Sequence, residues 1–252
     1  MKMPEQFNPF SLKGKTILVT GASSGIGRSI AVTASKMGAL VVINGRNIEK
    51  LEQTLQQMQT GEHLILAGDL TKSDIVSDIV GRLPKLDGVV HCAGLGHSKL
   101  CRLIAVDDVD AVMNTNFKAP VLLQSVILRM KKLNKSASIV FIASLGYDYP
   151  NIGNALYCAS KGAIVSYANC LKLELAPRQI RVNCVSPGMV WTDLIVHEGL
   201  AMEELKKDEE SYLFKRYGQP EDIANLAIYL LSDASAWMTG SNIEISGGAP
   251  RL

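Results

Sequence analysis

Short apolar runs alternate with longer amphipathic stretches along most of the chain. The runs at 16–20 (TILVT), 39–44 (ALVVIN), 63–67 (HLILA), 88–93 (GVVHCA), 138–143 (SIVFIA) and 181–186 (RVNCVS) are rich in Val and Ile. They are continuous rather than alternating, which predicts strands buried on both faces. Helical spacing occupies 25–37, 47–59, 73–83, 107–132 and 155–176, and a last strand at 242–247 follows a helix at 220–231. Strand–helix alternation builds right-handed βαβ units, with helices covering both faces of a parallel sheet. The expected fold is a single-domain α/β protein spanning 1–252, a Rossmann-like doubly wound parallel sheet of about seven strands. One stretch breaks the rhythm: residues 188–217 form a long mixed insertion after a strand's carboxyl end, where open parallel sheets bind ligands.

Composition narrows the class. Of 252 residues, 47% are hydrophobic and 20% charged, with a net charge of +2. Such a chain can bury a sizeable core. Its mixed charges offer no concentrated basic face for nucleic acid. The run Arg129, Lys131, Lys132 and Lys135 reads as the solvated end of a helix. The N-terminus (MKMPEQFNPFSLKGK) has no continuous apolar core of a secretory signal, and no segment is long and apolar enough to cross a membrane. The cysteines, Cys92, Cys101, Cys158, Cys170 and Cys184, are odd in number and form no CxxC. They read as reduced, buried thiols of a cytoplasmic protein. His63, His91, His97 and His197 show no metal-ligand spacing, so no metal is expected.

The first strand runs into TGASSGIGRS, residues 20–29. Glycines between a buried strand and a helix permit a tight turn, and the helix offers free N–H groups to a phosphate. The spacing is G-x-x-x-G-x-G, not the common dinucleotide fingerprint. After the second strand comes INGRN. An acid there would bind a ribose 2′-hydroxyl; this chain has Gly45, then Arg46, whose planar cation suits a 2′-phosphate. NADP(H) is therefore the expected cofactor.

Ser144 ends the fifth predicted strand. Tyr157 begins the next helix, and Lys161, four residues on, shares its face. At this point the chain resembles the short-chain dehydrogenase/reductase family, from about Leu12 to Gly248. The motifs that carry the resemblance come in order. They are T-G-x-x-x-G-x-G at 20–27, Asp-Leu at 69–70, a variant of Asn-Asn-Ala-Gly at 91–94, and Asn116. Ser144, Y-x-x-x-K at 157–161, Pro-Gly at 187–188, Thr192, GQPEDIA at 218–224 and GG at 247–248 follow. Within this resemblance the branch is similar to 3-oxoacyl-carrier-protein reductases.

The resemblance implies a catalytic set of Asn116, Ser144, Tyr157 and Lys161. Tyr157 would give a proton to a carbonyl oxygen, or take one from an alcohol. The Lys161 cation would favour the phenolate and hold the nicotinamide ribose. Ser144 would polarise the substrate oxygen, and Asn116 would hold a water leading from Lys161. Asn114 is the competing choice for that last role. Cofactor contacts are implied for Gly21, Ser23, Ser24, Gly25, Ile26, Gly27, Arg46, Asp69, Leu70, Ala93, Gly94, Pro187, Gly188, Val190 and Thr192, besides Tyr157 and Lys161. Asp69 would meet adenine and Thr192 the carboxamide.

The chain departs from the family pattern at His91-Cys92, where Asn-Asn is usual. His91 is expected to replace the Asn hydrogen bonds, or alternatively to make cofactor binding pH-sensitive. Met189, Val190, Trp191, Leu194 and Ile195 form an apolar wall for the substrate, or simply pack the insertion onto the body. The implied substrate is a small carbonyl or alcohol, a 3-oxoacyl thioester first, with a sugar, polyol, steroid or small ketone as alternatives. Leu173, where a docking arginine would be sought, speaks against an acyl carrier; the basic run 129–135 speaks for one. A non-catalytic nucleotide-binding regulator would be expected to lack Tyr157 or Lys161. The family implies a homotetramer or homodimer formed through the helices of 107–132 and 155–176.

Overall fold

The computed structural model describes residues 7–196 and 202–250. Seven parallel strands lie in the order β3-β2-β1-β4-β5-β6-β7. They are β1 (Thr16–Thr20), β2 (Leu40–Asn44), β3 (Leu64–Ile65), β4 (Leu86–His91), β5 (Leu133–Ile142), β6 (Arg181–Pro187) and β7 (Asn242–Ile245). Side chains alternate across this sheet between two cores. Leu18, Val89, Ile139, Phe141 and Val182 face α3 (Ser73–Arg82), α5 (Ala119–Arg129) and α6 (Ala155–Leu175). Ile17, Val19, Val90, Val140 and Val185 face α1 (Gly25–Lys36), α2 (Ile48–Gln57) and α9 (Pro220–Leu231). Both faces are covered, which is why the strand sequences are continuously apolar.

The expected helix over 107–132 is two helices. α4 (Val106–Met113) gives way to a π-helical segment, Asn114–Lys118, before α5 begins. Such segments widen the helix by one residue and recur at functional sites; this one carries Asn116. α5 ends at Arg129, and β5 starts at Leu133, five residues earlier than expected. The first half of β5 is polar because its pairing with β4 is irregular between Leu86 and Gly88, and Ser136 has φ 62°.

The basic run sits at a solvated helix end, as expected: Arg129 closes α5, and Arg129, Lys131 and Lys135 are exposed. Lys132 donates to the carbonyls of Gly81 and Leu83, closing the end of α3. Arg129, Lys131 and Lys135 lie at the amino-terminal edge of the sheet, roughly 30 Å along β5 from its carboxyl end.

The insertion has its own small core. α7 (Asp193–Val196) and α8 (Met202–Glu209) bring Ile195 and Leu205 against Tyr212 and Tyr217, with Met189 and Trp191 packed on them. Trp191 Nε1 donates to Glu209 Oε1 at 2.7 Å, and Tyr217 OH to Asp208 Oδ2 at 2.7 Å. Val190 lies in the main core. The apolar residues expected as a substrate wall thus mainly hold the insertion together and onto the body. The side chain of Leu194, and His197 altogether, lie outside the described residues, as do residues 1–6 of the N-terminal stretch.

Candidate active site

The carboxyl ends of the strands bring the implied cofactor residues to one edge. Gly21 follows β1 with φ 67°, and a Cβ there would lie 2.8 Å from the backbone of Ala93. A Cβ on Gly27 would lie 2.3 Å from the Gly21 carbonyl oxygen. The turn is closed too tightly for any other residue. α1 then starts at Gly25 with Ser24 as its N-cap. No side chain caps it, and no acid stands in its first turn. The cradle therefore presents backbone N–H groups and the positive end of the helix, which fits a diphosphate. Ser23 and Ile26 belong to this turn, and Thr192 folds over it, its Cγ2 3.1 Å from where a Gly25 Cβ would stand.

At the adenosine end, Arg46 is exposed and Asp69 half-buried. Asp69 Oδ1 accepts from Thr71 N at 3.0 Å and Thr71 Oγ1 at 2.8 Å. These bonds, chiefly the backbone one, and the nearby Arg46 hold its carboxyl below the usual range. The side chains of Leu70 and Val190 are buried in the two cores, so neither side chain is free to touch a ligand. Pro187 closes β6, and Gly188 N donates to Ile245 O at 3.0 Å, seating this turn against β7.

The end of β4 is fixed by Thr20, a role the sequence did not disclose. Its Oγ1 accepts from Cys92 N at 3.0 Å and Ala93 N at 3.1 Å. His91 points the other way, into the core between the sheet and α5. Its Nε2 lies 3.0 Å from Gln124 Oε1, and its ring stacks on Phe141 at 4.6 Å. Burial pushes its pKa down to about 4, so it stays neutral at ordinary pH. His91 serves the core as expected of a structural replacement, and the pH-sensitive alternative is not supported.

The chemical end gathers Asn116, Ser144, Tyr157 and Lys161. Ser144 caps the turn Leu145–Tyr147, its Oγ accepting from Gly146 N at 3.1 Å. Tyr157 is half-buried on the first turn of α6, and Lys161 Nζ lies 5.6 Å from its ring centroid. Lys161 is 6% exposed and donates to Ile142 O at 2.9 Å. Burial pushes its pKa down to about 8. Asn116 Oδ1 accepts from Leu95 N at 2.9 Å, and its Nδ2 donates to Leu95 O at 3.0 Å and Ser160 Oγ at 3.1 Å. Both N–H groups of the Asn116 amide are thus engaged, so a water at this side chain could only donate to Oδ1. Cys158 is buried beside Gly146, where a Cβ would lie 3.3 Å from its Sγ and 3.4 Å from Ser144 Oγ. Cys184 is buried too, but Cys101 and Cys170 are exposed at the surface, against the expectation of buried thiols.

The loop after Gly94 passes over the site. Lys99 N donates to Gly153 O at 2.8 Å, which ties the loop to the segment leading into Tyr157. Asp108 on α4 holds Lys99 Nζ at 2.6 Å and His97 Nε2 at 3.3 Å. No group of His, Cys, Asp and Glu among the described residues could hold a metal ion.

A glycine turn at a helix start and a Tyr–Lys pair at the same sheet edge agree with the relatives of this chain. A family profile described as enoyl-(acyl carrier protein) reductase matches residues 21–250. A 3-oxoacyl-acyl-carrier-protein reductase of Rickettsia felis is 34% identical over 237 residues, covering 94% of this chain and 97% of that protein. One from Chlamydia pneumoniae is 32% identical, covering 94% and 98%. Among solved structures, a short-chain dehydrogenase/reductase of Brucella melitensis titled glucose/ribitol dehydrogenase superposes with a TM-score of 0.90 at 29% identity, covering 97% of this chain and 100% of that one. A putative gluconate dehydrogenase from Agrobacterium tumefaciens gives 0.89 at 27%, covering 96% and 98%. With that coverage and the motifs in place at the carboxyl edge of the sheet, the chain belongs to the short-chain dehydrogenase/reductase family of oxidoreductases.

Proposed function

We propose that the protein is an NADP(H)-dependent carbonyl reductase and alcohol dehydrogenase. The observation that carries this reading is the pairing of Tyr157 with a buried lysine, Nζ 5.6 Å from its ring, at the edge that holds the glycine cradle. Tyr157 donates its phenolic proton to the carbonyl oxygen in reduction and accepts one in oxidation. Lys161, desolvated and close by, sets the field that eases this transfer. Ser144 orients the same oxygen from the end of β5, and Asn116 marks the route by which Lys161 regains a proton. The nicotinamide, when bound, supplies the hydride. The absence of an acid at Gly45 and the exposed Arg46 support NADP(H) over NAD(H).

The substrate class we favour is a 3-oxoacyl thioester, because the 3-oxoacyl-acyl-carrier-protein reductases above match across almost their whole length. A sugar or polyol is the second reading, favoured by the solved neighbours named as gluconate and glucose/ribitol dehydrogenases. The basic run at 129–135 gives no support to carrier docking at this site, since it lies at the opposite edge of the sheet, and Leu173 is 70% exposed on α6. We also propose a homotetramer or homodimer built on α5 and α6, to be checked by gel filtration; a monomer only would refute it. No helix among the described residues is long and apolar enough to cross a membrane. A cytoplasmic setting follows the relatives' chemistry. Measuring kcat/KM with 3-oxoacyl thioesters, aldoses and cyclic ketones, each with NADPH and NADH, tests the proposal. No turnover of any carbonyl would overturn it.

A further inference from the structure

Ser160 is fully buried, carries no charge and touches no implied ligand, yet two hydrogen bonds place it between the two halves of the site. Its hydroxyl donates to the Tyr157 carbonyl oxygen at 2.7 Å. That spends its single proton, so its oxygen is left to accept, and Asn116 Nδ2 donates to it at 3.1 Å. The second N–H of the same amide goes to Leu95 O, and Oδ1 accepts from Leu95 N. Both donors of Asn116 are used, and its amide has one orientation only.

The result is a continuous chain: Leu95 backbone, Asn116 amide, Ser160 hydroxyl, Tyr157 carbonyl. Its far end carries the cofactor wall, since a Cβ on Gly94 would stand 3.3 Å from Asn116 Oδ1 and 3.5 Å from Lys161 Nζ. Its near end is the residue that transfers the proton. A serine bonded three residues back along its own helix is common and by itself means little. Here the same oxygen also anchors a side chain from the π-helical segment, 44 positions away in sequence.

We propose that Ser160 is a positioning residue, which registers the Gly94–Leu95 wall against Tyr157 so that hydride and proton meet the same carbonyl. The kinetic part of this inference rests on the carbonyl-reductase reading above; the structural part does not. With Ser160→Ala, one Asn116 N–H loses its acceptor and Leu95 loses a fixed partner.

The test measures two things on the intact chain: hydrogen–deuterium exchange of the Leu95 amide, and steady-state kinetics with NADPH. Ser160→Ala is expected to speed Leu95 exchange about tenfold while β4 and β5 stay protected. It is expected to lower kcat on the order of 10- to 100-fold, with the Kd for NADPH changed less than about twofold. Ser160→Thr, which keeps the hydroxyl, should recover both. If Ser160→Ala is recovered unfolded, Ser160→Cys is read in the same two assays, and losses in both are expected. Unchanged Leu95 exchange, or unchanged kcat, in the folded variant overturns the proposal. If the unsubstituted chain turns over no carbonyl, the reductase reading fails, while the exchange measurement still decides whether Ser160 holds Leu95.

Discussion

Lys161 carries a charge where the fold least favours one, so removing it should stabilise the protein while ending its activity. In the native protein its pKa falls from 10.5 to about 8, chiefly through burial. Each unit corresponds to about 1.4 kcal/mol, so the protonated side chain costs the fold about 3 kcal/mol at neutral pH. Lys161→Met removes that cost. It also removes the hydrogen bond to Ile142 O, which offsets about 1 kcal/mol. A net gain of about 2 kcal/mol remains, equivalent to a Tm rise of roughly 4–8 °C for a chain of this size.

The gain has a pH signature. Below pH 8 the native lysine is protonated and its cost is complete. Between pH 8 and 10.5 the unfolded chain binds more protons than the native one, so the unsubstituted protein becomes more stable, relative to the variant, as pH rises. Above 10.5 the difference has vanished apart from the lost hydrogen bond. Urea unfolding of both proteins without cofactor, at pH 7, 9 and 10.5, measures this. A variant less stable at pH 7, or a difference that does not change with pH, would refute the reasoning. Groups with strongly shifted pKa gather at functional sites because function, not stability, keeps them there.

Two further substitutions probe the cofactor end. Gly27→Ala drives a Cβ to 2.3 Å from the Gly21 carbonyl oxygen, so the cradle opens; NADPH affinity measured by fluorescence titration should fall by about 100-fold or more, on the order of 3 kcal/mol. Arg46→Ala should lower kcat/KM for NADPH by about tenfold or more and leave that for NADH nearly unchanged, as expected for loss of a charge-assisted phosphate contact. Equal losses with both cofactors would assign Arg46 another role.

Much of this organisation is legible in the chain itself, for physical reasons. Strands buried on both faces must be apolar throughout, which marks β1, β2, β4 and β6 within a residue or two. The glycine turn is legible because no other residue fits at Gly21 or Gly27. Ser144, Tyr157 and Lys161 follow from the order of motifs, and the structure brings them to the same sheet edge. Other features depend on contacts far apart in sequence. The π-helical segment at Asn116 looks like ordinary helix, since periodicity does not register one extra residue in a turn. The polar start of β5 hides a strand whose pairing is irregular. The direction of His91 is fixed by Gln124 and Phe141, and the anchoring roles of Thr20 and Ser160 by Ala93 and Asn116. The apolar residues of 188–217 cannot reveal from pattern alone whether they face a ligand or each other; Trp191 and Tyr217 face each other, 5.3 Å between ring centroids.

The most direct test of the central claim is Tyr157→Phe, assayed for NADPH-dependent carbonyl reduction and, separately, for NADPH binding. The loss of one phenolic oxygen should cut kcat roughly 10²- to 10⁴-fold while the Kd for NADPH stays nearly unchanged. A variant that retains turnover would show that the proton comes from elsewhere.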